Sequence, residues 1–81
     1  MLFEYQRLNW YTINIFMAST REIIAKQLKE AREKSGLTQA DVAEKSEITT
    51  NYYAMIERAE VNANSDILGR IAKTLKITIK I

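Results

Sequence analysis

The 81-residue sequence contains no cysteine, no histidine and no proline, and only two glycines. Without cysteine the chain has no disulfide and no thiolate metal ligand, which suits a reducing compartment. Without histidine it lacks the commonest metal ligand and the commonest general base. The scattered Asp and Glu residues form no catalytic cluster. We therefore predict that the chain is not an enzyme and has no catalytic residues, no cofactor and no metal.

The chain also lacks a block of charge of one sign and a long apolar run. Its 12 basic and 10 acidic residues are interspersed and give a formal net charge of +2, so no basic nucleic-acid-binding tail is apparent. No apolar run approaches the roughly 20 residues that span a bilayer, and polar residues interrupt the opening sequence MLFEYQRLNWYTINIF. We expect a single cytoplasmic domain, small enough to rely on a partner subunit.

Apolar spacing and capping residues predict four helices. The first covers about residues 20–34, with Ser19 as its cap and Gly36 after its end. The second runs from Thr38 to about residue 45, and the third from Thr49 to about residue 58. Either Asn64 or Ser65 caps the fourth, over about residues 65–75. Gly69 inside that helix predicts close packing against a neighbouring element.

The two ends of the chain alternate between apolar and polar residues, as β-strands do. The segments are YTINIF at residues 11–16 and the last five residues of KITIKI, at 77–81. An isolated strand needs a partner, so we expect the ends to pair with each other, within one chain or across a dimer. The expected fold is mostly α with short N- and C-terminal β-strands.

The second and third predicted helices, joined by a tight turn, make a helix-turn-helix. Around them, LKEAREKSGLTQADVAEKSEITTNYYAMIER and ILGRIAKTLKI resemble the phage-repressor or Cro-like (Xre) helix-turn-helix family over about residues 24–77. The most specific parts are GLTQADVAEKS, IER and RIAKTLKI. The resemblance implies a four- to five-helix repressor-like bundle at 19–76, between an N-terminal extension at 1–18 and the strand at 77–81.

The resemblance further implies that the third helix lies in the major groove of DNA. It maps base readout onto the start and outer side of this helix, at Thr49, Thr50, Asn51, Ala54 and Met55. Asn51 can pair bidentately with adenine, and apolar groups can contact thymine methyls, so A·T-containing sites are favoured. The alternative is that this face is ordinary solvated polar surface.

Phosphate contacts are expected from residues around the third helix. The resemblance suggests Thr38, Gln39, Tyr52, Arg58, Asn62 and Asn64. Gln39 lies where a helix N-terminus favours an anion, whereas ordinary turn and cap chemistry explains Asn62 and Asn64 equally well. By the same resemblance, Arg32 and Glu57 form a structural ion pair that orients the third helix and reads no bases.

The sequence departs from the family pattern at four positions. Glu47 stands in the turn where the family usually has Gly, and Ser46 replaces an aliphatic residue before it. Tyr53 replaces a β-branched core residue, and Ala59 stands where Gly often ends the third helix. Left-handed backbone is unfavourable for residues other than Gly, so we expect a strained or altered turn.

The predicted function is a sequence-specific regulator of transcription that binds double-stranded DNA. A repressor acting as a homodimer fits best, with dimerisation through the terminal strands, the fourth helix or both. Few cations lie near the groove, so a monomer should bind weakly. The alternative is a protein-bridging adapter or antitoxin-type module that uses the same fold mainly for protein contacts.

The aromatic-rich opening of the chain leaves three interpretations open. It forms a partner-binding or dimer strand, or it covers the core or an edge, or residues 1–16 extend a domain that begins at Met17. Its aromatic residues are Phe3, Tyr5, Trp10, Tyr11 and Phe16.

Overall fold

The structure is a computed structural model that describes the backbone of residues 10–81 and the side chains of residues 20–81. Its four helices are α1 (Trp10–Ser35), α2 (Gln39–Lys45), α3 (Thr50–Glu57) and α4 (Ser65–Leu75). The prediction of a mostly helical fold is confirmed. No strand occurs within residues 10–81, so both predicted terminal strands are wrong.

The N-terminal strand is replaced by helix. Residues 11–16 lie inside α1, and Ser19, predicted as the cap, also lies within it. No Gly or Pro interrupts residues 10–35, and a helix that has already formed adds one backbone hydrogen bond for each further residue. Strand propensity in a short run depends on a neighbouring strand. The predictions for Phe3 and Tyr5 lie outside the described residues.

The C-terminal residues 77–81 pack beside α1 as an irregular tail. Ile77 and Ile79 pack against the core, and Lys80 N–H donates to Gln27 Oε1 at 2.9 Å. Gln27 Nε2 in turn donates to the Lys80 carbonyl. The side-chain amide of Gln27 therefore makes the two backbone hydrogen bonds at Lys80 that a neighbouring strand would otherwise make.

The core contains side chains from all four helices. Its most buried members are Leu28, Val42, Ala43, Tyr53, Ile56, Ile71 and Leu75. Tyr53 is fully buried, so its ring fills the core rather than leaning outward. Gly69 is exposed and an added Cβ would meet nothing within 4 Å, which makes the prediction of close packing there wrong.

Side-chain caps fix where α2, α3 and α4 begin. The Thr38 hydroxyl accepts from Asp41 N–H at 3.0 Å, and the Asp41 carboxylate accepts from Thr38 N–H at 2.9 Å, a reciprocal capping box. The Thr49 hydroxyl accepts from the N–H of Tyr52. Of the two cap candidates for α4, Asn64 is the one used. Each cap satisfies a backbone donor that the helix leaves free.

The turn between α2 and α3 has left-handed backbone at Glu47, the position where the family usually has Gly. Glu47 has φ 61°, and Ala59 after α3 has φ 59°. Ser46 is buried, and its hydroxyl lies 3.1 Å from the Thr74 hydroxyl of α4. This hydrogen bond explains how a polar residue occupies an aliphatic position, because it satisfies Ser46 and ties the turn to α4.

Candidate nucleic-acid interface

The outward face of α3 is uncharged and exposed at its N-terminal end. Thr49, Thr50 and Asn51 are exposed, and Met55 is half-buried one turn later. Asn51 Nδ2 lies 3.8 Å from Met55 Sδ, so these two side chains are adjacent, as residues four apart on a helix should be. We call Thr49, Thr50, Asn51 and Met55 the reading face. Its polar side chains are exposed, although the Thr49 hydroxyl also accepts the capping hydrogen bond from Tyr52 N–H.

Ala54 does not belong to this face. Only 7% of its surface is exposed, because α3 turns it toward the core. A methyl group buried in the protein cannot contact a thymine methyl, so the structure corrects the prediction of Ala54 as a base-reading residue.

The inner side of α3 is fixed by an ion pair. Arg32 Nε donates to Glu57 Oε2 at 2.6 Å, and Arg32 Nη2 donates to Glu57 Oε1 at 3.2 Å. The Glu57 side chain is 3% exposed. Arg32 also donates to the Leu37 carbonyl at 3.1 Å. The pair therefore joins the end of α3 to α1 and to the start of the α1–α2 loop, in the two-point geometry that arginine and carboxylate favour.

Gln39 joins the same carboxylate from α2. Its Nε2 donates to Glu57 Oε1 at 3.1 Å. An amide nitrogen has two hydrogens, so one is used by Glu57 and the other is free for a second acceptor. Glu57 thus orients Gln39, which begins α2, and connects α1, α2 and α3 at one point. No local pattern in the sequence predicts this link, since the two residues are 18 positions apart.

Glu57 stays ionised in this environment. Burial by itself raises the pKa of the carboxyl, but hydrogen bonding by Arg32 and Gln39 and the proximity of Tyr53 outweigh it and hold that pKa below its usual value. The hydrogen bond to Glu57 raises the pKa of Arg32. Burial and the nearby carboxylate also raise the pKa of Tyr53. Both members of the pair are therefore charged at neutral pH.

The Tyr53 hydroxyl lies near this cluster without a satisfactory hydrogen bond. Among the described side chains, it is the one buried polar atom with no partner in hydrogen-bond geometry. Burial and the neighbouring Glu57 carboxylate both raise the pKa of the phenol. A buried polar group left unpaired is destabilising.

The remaining predicted phosphate contacts are spread around α3. Thr38 and Asn64 use their side-chain oxygens as helix caps, so Asn64 fits the cap interpretation. Tyr52 is half-buried and Asn62 is exposed in the loop before α4. Arg58 is exposed and donates to Glu60 at 2.9 Å, a local ion pair that sequence analysis missed.

The described part of the chain has neither a metal-ligand cluster nor a membrane-spanning helix. Within residues 20–81 there is no group of three or more Asp or Glu residues placed to hold an ion. None of the helices described is long and apolar enough to cross a bilayer.

Comparison with known proteins agrees with this geometry. A helix-turn-helix family model matches residues 28–81, more than half of the chain. The chain belongs to the Xre/Cro-like helix-turn-helix family. The matched region includes the four residues of the reading face, the Arg32–Glu57 pair and Gln39. No curated protein sequence matches the chain.

A solved structure shares the same fold. The crystal structure of the clp gene regulator ClgR from Corynebacterium glutamicum superposes with a TM-score of 0.71 and 25% sequence identity. The match covers 74% of this chain and 64% of the ClgR chain. This helix-turn-helix chain therefore spans less than two thirds of the length of ClgR.

Proposed function

We propose that this chain is a sequence-specific, double-stranded DNA-binding regulator of transcription, with α3 in the major groove. The observation that carries the proposal is the reading face: three exposed, uncharged residues at the start of α3, with Met55 beside them. The major groove distinguishes base pairs by donors, acceptors and the thymine methyl group. Membership of the helix-turn-helix family and the fold shared with a gene regulator support the same function.

Asn51 is the main base-reading residue in this proposal. Its amide is exposed and can both donate to and accept from the edge of adenine. The Thr50 methyl group and Met55 provide apolar contact for thymine methyls. Because the reading face contains no Arg, which is the commonest partner of guanine, we propose a half-site rich in A·T pairs.

Phosphate contacts from the flanking elements fix the position of α3. Gln39, held by Glu57, offers its second amide hydrogen to a phosphate on one side. Thr38 and Tyr52 assist there, and Asn62, Asn64 and Arg58 follow α3 on the other side. Arg58 would exchange its exposed partner Glu60 for a phosphate, which is a small loss because surface ion pairs contribute little.

The regulator acts in the cytoplasm as a homodimeric repressor under this proposal. Few cations flank the reading face, and a domain that neutralises few phosphates binds DNA weakly. Two copies would place their α3 helices in major grooves about 34–36 Å apart on a near-palindromic site. The tail, held by Gln27, and α4 are the elements we propose for the contact between copies.

Selection from a pool of random duplexes, at near-physiological salt, tests the proposal. We expect enrichment of an inverted repeat with A·T-rich half-sites. A variant with Thr50→Ala and Asn51→Ala should lose this enrichment, whereas Lys26→Gln on the exposed side of α1 should keep it. Retention without sequence preference would indicate an architectural protein. No retention even at low salt would overturn DNA binding and favour the adapter function.

Sedimentation of the free protein tests the homodimer. We expect a dimer for the full chain and a shift towards monomer after truncation at Leu75. Because Ile77 and Ile79 pack against the core, Gln27→Ala should be measured beside the truncation, as it loosens the tail and removes no core side chain. Circular dichroism of both variants separates loss of the dimer from loss of the fold. An unchanged sedimentation profile in both folded variants would exclude the tail.

A further inference from the structure

A basic groove lies between the end of α2 and the second half of α4. Its volume is about 380 Å³, and it is lined by Lys45, Glu47, Arg70, Lys73 and Thr74. None of these five residues belongs to the reading face or to the proposed phosphate contacts. Lys45 ends α2, whereas Gln39, the proposed phosphate contact, begins it. The groove therefore shares no residue with the surface assigned to DNA.

Three cations and one carboxylate line this groove. Among the described residues, neither Lys45 nor Lys73 takes part in an ion pair. Arg70 donates to Asp66 one turn earlier, but both side chains are well exposed, at 42% and 73%. Exposed pairs of this kind are weak. The two lysines are thus available to an anionic partner, and Arg70 can exchange Asp66 for one at small cost.

The two lysines also have an ordinary structural role. Lys45 and Lys73 lie in the last turns of α2 and α4, where a positive charge stabilises the helix end. That interaction involves no hydrogen bond from either ammonium group. The lysines can therefore stabilise their helices and bind a partner at the same time.

The floor of the groove offers no enclosed site for a small ion. The hydroxyls of Ser46 and Thr74 are bonded to each other, and the only unpartnered buried polar atom of residues 20–81 is Tyr53 Oη, which does not line the groove. Glu47 on the rim repels a compact dianion. A chain with spaced carboxylates can pair with the cations individually and keep its carboxylates away from Glu47.

We propose that this groove binds an acidic segment of a partner protein, with carboxylates at Lys45, Arg70 and Lys73. Charge complementarity determines the partner: Lys45, Arg70 and Lys73 outnumber the carboxylate of Glu47 and that of Asp66, the exposed partner of Arg70. Because the proposed DNA contacts use other residues, the partner can bind while α3 occupies DNA. The inference goes beyond the proposed function and does not depend on it.

Fluorescence anisotropy with a labelled hexaglutamate peptide tests the proposal on the full chain, with hexaglutamine as the uncharged control peptide. The groove variant carries Lys45→Gln and Lys73→Gln. Its control carries Lys26→Gln and Lys29→Gln, which removes the same charge from exposed positions of α1. We expect the groove variant to bind hexaglutamate about tenfold more weakly and the control to bind as the parent does. Glu47→Gln should tighten binding.

Each of the other outcomes would overturn the proposal. Equal weakening in both double variants means that the peptide follows net charge and not the groove. Displacement of the peptide by millimolar inorganic phosphate as effectively as by free hexaglutamate means a small-anion site. A loss of affinity for a random-sequence duplex in the groove variant alone means a DNA contact. Circular dichroism of all variants verifies that each is folded.

Discussion

The two faces of α3 differ in what holds their side chains. On the inner side, Tyr53 and Ile56 are buried and Glu57 accepts hydrogen bonds from two other helices. On the outer side, Thr50 and Asn51 are exposed. Asn51 makes only a weak contact there, from its Nδ2 to Met55 Sδ at 3.8 Å. The inner side therefore determines where α3 lies, and the outer side is free to change without altering the fold.

This difference separates two kinds of mutational effect. A change on the inner side should lower the free energy of unfolding, and a change at Glu57 should also weaken DNA binding because it releases Gln39. A change at Thr50 or Asn51 on the outer side should alter the preferred DNA sequence and leave the stability of the domain unchanged, whereas Thr49 also caps α3. Gln39 donates a hydrogen bond to Glu57 and is also a proposed phosphate contact. Its substitution should therefore lower both stability and DNA binding.

The largest effect is expected for Glu57→Ala. Removing the carboxylate leaves the Arg32 guanidinium, only 15% exposed, without its charge partner, and the free energy of unfolding should fall by about 3–5 kcal/mol. Urea unfolding followed by circular dichroism measures it. The matched control is Glu60→Ala, which removes an exposed carboxylate from the same region. Similar losses in both variants would mean that the Arg32–Glu57 pair does not anchor α3.

Asn51→Ala should produce the clearest effect on the outer side. We expect a loss of about 1–3 kcal/mol in binding, confined to the base pair that Asn51 reads. The stability of the domain should stay within about 0.5 kcal/mol of the parent, because the side chain is exposed. Competition assays with operators altered at each position measure the preference. A uniform loss at every position would mean that Asn51 contacts the backbone of DNA.

Gln39→Ala should combine both effects at smaller size. The loss of one hydrogen bond to Glu57 should lower the free energy of unfolding by about 1 kcal/mol. Binding should weaken by a similar factor for all DNA sequences, since phosphates are the same at every base pair. Binding curves on a cognate and a scrambled duplex measure this factor. A loss that depends on the sequence would exclude Gln39 as a phosphate contact.

Arg58→Gln should have the smallest effect on DNA binding and only a small effect on stability. Its partner Glu60 is 48% exposed, and exposed ion pairs contribute little to stability. If Arg58 contacts a phosphate, the slope of the logarithm of affinity against the logarithm of salt concentration should fall by about one. Titrations at several salt concentrations measure the slope. An unchanged slope would remove Arg58 from the phosphate contacts.

Local signals in the sequence predicted the parts of the fold that depend on neighbouring residues. Each capping or terminating residue lies within a few positions of the helix end that it determines, so its effect can be predicted from spacing. Thr38 and Asp41 cap α2, Thr49 caps α3, and Gly36 follows the end of α1. The helix-turn-helix followed from two such caps and the short turn between them. The positions of α2, α3 and α4 could therefore be predicted.

The ends of the chain could not be predicted in the same way. YTINIF and KITIKI have the same alternating pattern, yet one continues α1 and the other follows α4 as an irregular tail. A pattern of this length does not specify its neighbours. The first segment continues a helix that nothing interrupts, and the second is held by Gln27, which is 53 positions from Lys80.

In the candidate site, too, some features could be predicted from the sequence and others depend on how the helices pack. The resemblance to the family gave the positions of Asn51 and Gln39, but the hydrogen bond from Gln39 to Glu57 depends on the packing of two helices. The inward turn of Ala54 likewise depends on how α3 rotates against the core. Contacts between distant residues leave no local trace in a single sequence.

The three left-handed residues that follow helices have a consequence for the amount of protein in a cell. Glu47, Ala59 and Lys76 each have φ near 60° without being Gly, and replacement by Gly should stabilise the fold by about 0.5–1 kcal/mol per site. Changes of about 1–2 kcal/mol in folding alter steady-state abundance several-fold. The amount of folded protein can therefore change through substitutions at three single positions that leave the outer side of α3 as it is.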